Sequence, residues 1–524
     1  MTTPFLPRTA LSRLCIASVL ACAGLAAAPA YAQLSANPGA LAIVNDANAN
    51  GRVLYISGAS AVFAGFGQIA QTLLDPPSVS RFTPIGGATA TDYVGFAGRL
   101  RVAAGGWAAG TPVIIINRAR GGSVWGVNPV ARATAIESLN VSAAACTEGN
   151  GSTTAPFRCT LGTRVPDAGI SDVAPALFVG DINNEGEPIA AAPLSPAELA
   201  LLTATPIYSL GFGVPVSNNV PDLRLTRAAL AGIMTGNIGT WGQVDASLPA
   251  AIADADMLVC RRTPGSGTQA IANLYFGNFP CTTATNVPAT RDDTPAWNLA
   301  TRTFTVEGNT GGLNVVELST SGQVRACLNN AVAASNASFV ANATPATINL
   351  ATGVITAGVG YTHFATADRN GRPTLVQFRN GRTHAAVGLL SLDSLNNSVA
   401  GTTGWSFRSL DGAGRLTWTS PTDPPLATGT GRHSTVANLI DGTWDKQGLI
   451  SFNVPTRTAG NANLNALANA FVAAAQDPAL LQAQPALRFA AAAANGAADP
   501  TSTGQVQRVA YAGNDQCGPL NLRP

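Results

Sequence analysis

Short, unbroken apolar runs punctuate this chain, each followed by glycine and hydroxyl residues and then by a stretch with helical spacing. Val53-Leu54-Tyr55-Ile56-Ser57 is the first. A run without alternation predicts a strand covered on both faces, and Gly58-Ala59-Ser60-Ala61 predicts a turn into a helix from Val62 toward Leu74. Val113-Ile114-Ile115-Ile116-Asn117 repeats the pattern, with a Gly121-Gly122-Ser123 turn and a helical stretch predicted over Val130 to Leu139. Asp167-Ala168-Gly169-Ile170-Ser171-Asp172 predicts a third strand ending in polar side chains. Met257-Leu258-Val259-Cys260 predicts a fourth, leading through a glycine-rich loop into a helix with Ile271, Leu274 and Tyr275 on one face.

Strands alternating with helices predict an α/β fold. Each strand's carboxyl end carries a small or hydroxylated residue, which is where such sheets bind ligands. Gly211 to Val216 predicts a strand crossing between two units, and Thr226 predicts the cap of a helix running to Ile233, before a loop over Gly236 to Trp241. Residues 330–384 are rich in Ala, Thr, Asn and Gly and predict a loop-rich β insertion, with strands near Val354-Ile355 and Thr374 to Phe378. The Ala-rich region from Leu464 to Ala494 predicts helix, broken at Pro478 and Pro485.

The N-terminus changes the picture. Arg8 and Arg13, an apolar stretch from Leu14 to about Ala28, and Ala30-Tyr31-Ala32 before Gln33 predict a secretory signal over residues 1–32. Lipid attachment at Cys22 is the alternative to a soluble product. No later run is apolar over the roughly 18 residues of a membrane helix, so no membrane insertion is expected after processing. Of 30 basic residues, loss of Arg8 and Arg13 leaves 28, matching the 28 acidic ones. A balanced chain has no general pull on nucleic acid or anionic lipid, which excludes nucleic acid from the expected partners.

Six cysteines remain after Cys15 and Cys22 are removed with the signal: Cys146, Cys159, Cys260, Cys281, Cys327 and Cys517. An even set in an exported chain predicts disulfides. Proximity favours Cys146–Cys159 and Cys260–Cys281, leaving Cys327 with Cys517, although six cysteines admit many pairings. There is no C-x-x-C pair, and His363, His384 and His433 are scattered, so neither a metal nor another cofactor is expected.

The strongest chemical signal is Arg262-Thr263-Pro264-Gly265-Ser266-Gly267-Thr268. Glycines allow close backbone approach, Ser266 and Thr268 supply hydroxyls, a helix start supplies unpaired N–H groups, and Arg262 supplies a fixed charge. Together these suit an anion. The plainer reading is a turn followed by a threonine cap.

These loops, in this order, resemble those of the periplasmic phosphate-binding proteins of phosphate ABC transporters, which have the two-lobed type 2 periplasmic binding fold. Gly58-Ala59-Ser60-Ala61-Val62-Phe63 is similar to that family's first phosphate loop, Gly-Ala-Gly-Ala-Thr-Phe, with Val62 replacing the threonine and Ser60 two positions earlier. Gly121-Gly122-Ser123 is similar to its serine-bearing second loop. Asp167 to Asp172 is similar to its Asp-Phe-Gly-Ala-Ser-Asp run, whose last aspartate accepts a proton from phosphate. Leu223-Arg224-Leu225-Thr226 and Leu230 to Trp241 resemble its second-lobe helix and following turn, and residues 262–268 match its Arg-x-Asp-Gly-Ser-Gly-Thr loop except that Pro264 stands for the aspartate. The resemblance covers residues 50–290 well and the rest loosely.

The resemblance implies lobe I over 33–210 and 386–524, and lobe II over 211–385 with the insertion 330–384. For the return to lobe I, Val387-Gly388-Leu389, then Trp405 to Arg408 and Asp411-Gly412, fits better than Val359-Gly360-Tyr361. The implied ligand shell for phosphate or a similar oxyanion is Ser60, Ser123, Ser266, Thr268, the backbone near Phe63 and Gly267, and Arg262, with Asp172 rejecting fully deprotonated anions. Pro264 implies a freer arginine. Arg118 and Arg120 read as solvated, and Trp125 as core. A non-catalytic periplasmic monomer that hands its ligand to an ABC permease is the expected role. A secreted phosphatase of the DING kind and a surface or adhesive protein reusing the fold are the alternatives.

Overall fold

Apolar runs become the interior of one large sheet. The computed structural model describes residues 33–85, 92–179, 192–221, 223, 225–281, 288–308, 310, 312–368, 372–397, 404–408, 410, 439–440, 442, 444–484, 491–493, 506, 509–512 and 515–522. The signal expected over residues 1–32, with Cys22, and the expectations at Arg224, Asp411-Gly412, His433 and Pro485 lie outside the described residues.

The chain runs through β1 (Val53–Gly58), α1 (Phe63–Thr72), β2 (Tyr93–Arg99), β3 (Pro112–Arg118), α2 (Asn128–Arg132) and β4 (Ala168–Ser171). It continues through β5 (Leu202–Ser217), α3 (Arg227–Met234), β6 (Met257–Arg262), α4 (Gly267–Gly277), β7 (Leu313–Leu318) and α5 (Ser321–Asn336), then β8 (Ala385–Gly388), β9 (Gln447–Pro455) and α6 (Ala462–Ala475). The molecule is thus mixed α/β. The sheet has 15 strands, with a main path β7-β6-β8-β5-β9-β4-β1-β3-β2 and short strands beyond β2. β1 pairs in parallel with β3 and β4, and β6 in parallel with β7 and β8. Both sets are covered by helices, so β1 and β6 are buried at every residue.

β5 joins the two parallel sets. Its residues 202–211 pair with β9, whereas Phe212 to Ser217 pair with β8, Leu390–Ser391 and Trp405–Arg408. The change of partners falls at Gly211-Phe212, within the predicted crossing. There the Phe212 N–H donates to the Lys446 carbonyl at 2.9 Å, and the Trp444 indole donates to the Phe212 carbonyl at 3.0 Å.

Local chemistry explains the agreements and the departures. Thr226 caps α3, accepting from the Ala229 N–H at 3.0 Å. The helix expected over 130–139 stops at Arg132 because Ala133 takes a left-handed conformation (φ 52°), and Ile136–Leu139 is a strand paired with Leu161–Arg164. The Ala-rich region is helical in α6 and over Pro478–Ala483, but Ala491–Ala493 joins β5 opposite Tyr208 to Leu210. Sheet edge pairing there overrides alanine's helix preference. Segment 330–384 begins inside α5, and its strands Tyr361–Ala367 and Pro373–Arg379 complete a four-stranded sheet with Trp297–Asn298 and Thr303–Val306. It therefore shares its sheet with the chain before it.

Three disulfides are present among the described residues: Cys146–Cys159, Cys260–Cys327 and Cys281–Cys517. The first matches the proximity expectation and the other two correct it. Cys260 lies in β6 beneath α5, and the α5 residue buried against it is Cys327, so packing of helix on strand selects the partner. Closing 67 residues is worth about 4 kcal/mol in the chain-entropy picture. The Cys260→Ala/Cys327→Ala variant is expected to lose roughly that much, read as a lowered thermal midpoint; an unchanged midpoint would mean packing alone holds α5. Disulfides fit an oxidising compartment. Among the described residues no helix is long and apolar enough to cross a membrane.

Candidate functional site

Two sets of parallel strands, running in opposite directions, deliver the site. The carboxyl ends of β1, β3 and β4 lead directly to Ser60, Ser123 and Asp172, and β6, which runs antiparallel to them, leads to Ser266 from the other direction, so the two sets of loops face each other. β1, β3 and β4 belong to one parallel set and β6 to the other. The loops meet across the crossing at β5.

Contacts across this cleft are direct. Arg262 Nη1 donates to Ser60 Oγ at 2.9 Å, and the Val124 N–H donates to the Gly265 carbonyl at 2.9 Å. Gly122 (φ 99°) lies so close that a Cβ there would come within 2.8 Å of Ser266 Cα. A Cβ on Gly267 would lie 2.3 Å from Ser123 Oγ and 2.5 Å from Asp172 Cβ. Only glycine lets the first turn of α4 reach these two residues. Ser123 Oγ accepts from the Asp172 N–H at 3.1 Å, which fixes the serine against the acid.

The enclosed atoms are polar and short of partners. Ser123, Asp172, Arg262, Ser266 and Thr268 are all buried. Asp172 Oδ1, Ser266 Oγ and Thr268 Oγ1 make no hydrogen bond. Ser266 caps α4 without a side-chain bond, so its hydroxyl and the first-turn N–H groups of the helix remain for something else. Each buried polar atom left unpaired costs about 1–3 kcal/mol. Three converge here, facing the same cleft, and call for an explanation.

Arg262 is anchored without an acid. Its Nη2 donates to the Ser319 carbonyl at 2.6 Å, its Nε to the Leu318 carbonyl at 3.2 Å, and its Nη1 reaches Ser321 Oγ at 3.4 Å. The proline at 264 therefore does not free the arginine: the end of β7 and the start of α5 grip it instead. Among the described residues no carboxylate pairs with it, so its charge is available to a ligand. Burial lowers its pKa to about 10, with Asp172 and Asp92 opposing the shift. Burial pushes the Asp172 carboxyl up to about 7, Arg262 pulls it down and Asp393 pushes it up.

Other expectations sort clearly. Phe63 opens α1 half-buried, and its N–H donates to the Ser60 carbonyl at 3.3 Å. Val62 gives α1 no side-chain cap, as the missing hydroxyl implies. Trp125 is buried, in keeping with a core role. Arg118 is buried too, against expectation: its guanidinium stacks 4.2 Å over Trp125 and donates to the Arg120 carbonyl at 2.6 Å. Arg120 reaches Glu137 at 3.2 Å. Ser319 and Ser321 were missed in the sequence, yet they lie at the junction of the largely apolar β7 with α5, the same strand-to-helix position as the other loops.

No protein-family model matches this chain, and no curated protein matches it by sequence. Solved structures similar to it include a phosphate ABC transporter substrate-binding protein from Clostridium perfringens with bound phosphate, at 12% identity and TM-score 0.39, covering 82% of this chain and 97% of that one. PstS from Borrelia burgdorferi is similar at 12% identity and TM-score 0.28 over 61% of this chain and 78% of that one. An ABC-type phosphate transport receptor from Vibrio cholerae is similar at 14% identity and TM-score 0.26 over 59% and 79%. Superpositions this loose transfer no residue role, so the function is read from the cleft itself.

Proposed function

We propose that this chain is an exported solute-binding protein that captures a tetrahedral oxyanion, phosphate foremost, between the two halves of its sheet for uptake through an ABC permease. The observation that carries this reading is the cluster of Asp172 Oδ1, Ser266 Oγ and Thr268 Oγ1, buried without partners beside an arginine with no paired acid. Phosphate answers all of them. Its oxygens accept from Arg262, the two hydroxyls and the amides at the start of α4, and its proton is donated to Asp172. The halves open and close where β5 changes partners at Gly211-Phe212.

Calorimetry on phosphate-stripped protein tests it, with sulfate, arsenate and a phosphate ester as competitors. Phosphate is expected to bind at micromolar strength or better; absence of heat with all four would end the reading.

Asp172 sets the selectivity. With its carboxyl poised at about 7, the ionised form prevails above neutral pH and repels sulfate, which has no proton to give. Below neutral pH the acid is protonated and becomes a donor, so sulfate competition is expected near pH 5.5 and lost near pH 8.5. Asp172→Asn presents an amide donor at every pH, and sulfate should then compete at both. Sulfate exclusion that ignores pH in both proteins would remove Asp172 from this role.

A further inference from the structure

A C-terminal hairpin, Val509–Tyr511 with Leu520–Leu522, pairs only with itself among the described residues. Two adjacent residues of its connection reach opposite sides of the cleft. Cys517 is disulfide-bonded to Cys281, four residues beyond the end of α4. Gln516 is buried, and its Oε1 accepts from the Ala174 N–H at 2.6 Å. Ala174 stands two residues beyond Asp172. A third contact fixes the hairpin at the crossing itself, where the Tyr511 hydroxyl donates to the Gln447 carbonyl at 3.2 Å.

The hairpin therefore joins α4, whose front end carries Ser266 to Thr268, to the loop that carries Asp172. It does so without broad packing on the helix. A cavity of about 430 Å³ separates it from Ile271, Leu274 and Tyr275 of α4. The link from α4 runs through the disulfide, and the link to the Asp172 loop runs through one amide hydrogen bond.

We propose that this hairpin is a clasp across the cleft. Cys281–Cys517 anchors it to the half bearing Arg262 and α4, and Gln516 catches the Asp172 loop when the halves close, which slows opening. The idea that slower opening retains an anion rests on the reading of the cleft given above; the clasp itself does not.

Hydrogen exchange over the 172–178 segment, alongside stopped-flow phosphate release, tests this in full-length mature protein. Gln516→Ala and Cys281→Ala/Cys517→Ala are each expected to speed exchange of that segment about tenfold, the worth of one hydrogen bond, with unchanged circular dichroism. Phosphate release should quicken by a similar factor. If the cysteine variant loses its circular dichroism, Gln516→Ala decides, since it keeps the disulfide. Exchange unchanged in Gln516→Ala would overturn the clasp. Faster exchange in a protein that binds no phosphate would uphold the clasp and overturn the oxyanion reading.

Discussion

Arg262→Ala is expected to cost phosphate binding about a hundredfold or more, because truncating one member of a buried, charge-assisted contact typically removes 2–5 kcal/mol, roughly. The arginine is buried, and its three nitrogens are held by two carbonyls and two hydroxyls rather than by an acid. The anion would thus lose the guanidinium charge. Arg262→Lys should recover little. A single ammonium cannot reach the Ser319 carbonyl on one side and Ser60 on the other while still facing the ligand. Loss of the guanidinium also removes what pulls the Asp172 pKa down, so that group should rise further above about 7. Between the unfolded value near 4 and the folded value the native state holds a proton that the unfolded state has lost, so wild-type stability falls as pH rises through that window. In Arg262→Ala the fall should extend to higher pH. Calorimetric titration and thermal melts from acid to neutral pH measure both, and wild-type affinity in the alanine variant would remove Arg262 from the site.

Gly267→Ala is expected to separate binding from stability. Alanine favours the first turn of a helix over glycine, so α4 itself should gain up to about 1 kcal/mol. The added Cβ, however, would lie 2.3 Å from Ser123 Oγ and 2.5 Å from Asp172 Cβ, both on the opposite half. Neither neighbour can swing away, since Ser123 Oγ is bonded to the Asp172 N–H and the clash with Asp172 is at Cβ. Closure should be blocked and phosphate affinity reduced by up to about a hundredfold, the scale of a 1–3 kcal/mol overpacking penalty. Small-angle scattering should show a more extended molecule. A variant that still closes and binds would show that α4 and the Asp172 loop have room between them.

The elements that position the site were legible because burial leaves its mark residue by residue. Val53 to Ile56, Val113 to Ile116 and Met257 to Cys260 are continuous apolar runs, and only strands covered on both faces need them. The glycines and hydroxyls after each run located the loops. What holds the site together was less visible. The grip of Ser319 and Leu318 on Arg262 uses backbone carbonyls, which every residue possesses, so no side-chain pattern announces it. The pairing of Cys260 with Cys327 depends on which helix covers β6, and nearness in sequence pointed to Cys281. Arg118 read as solvated because its partner, the face of Trp125, reaches it only when the loop after β3 folds back on the strand end. Ala491–Ala493 has the composition of a helix and takes its conformation from the strand it meets.

The position of β9 has a consequence for how this molecule is made. β9 lies between β4 and β5, yet it is specified by residues 447–455, long after both neighbours. Until that segment has left the ribosome, β4 and the first part of β5 have a missing strand between them and two open edges, so the centre of the sheet waits on a late segment. The half of the cleft that carries Asp172 depends on this single late strand, whereas β6, β7 and β8 pair with one another and with β5 before it is made.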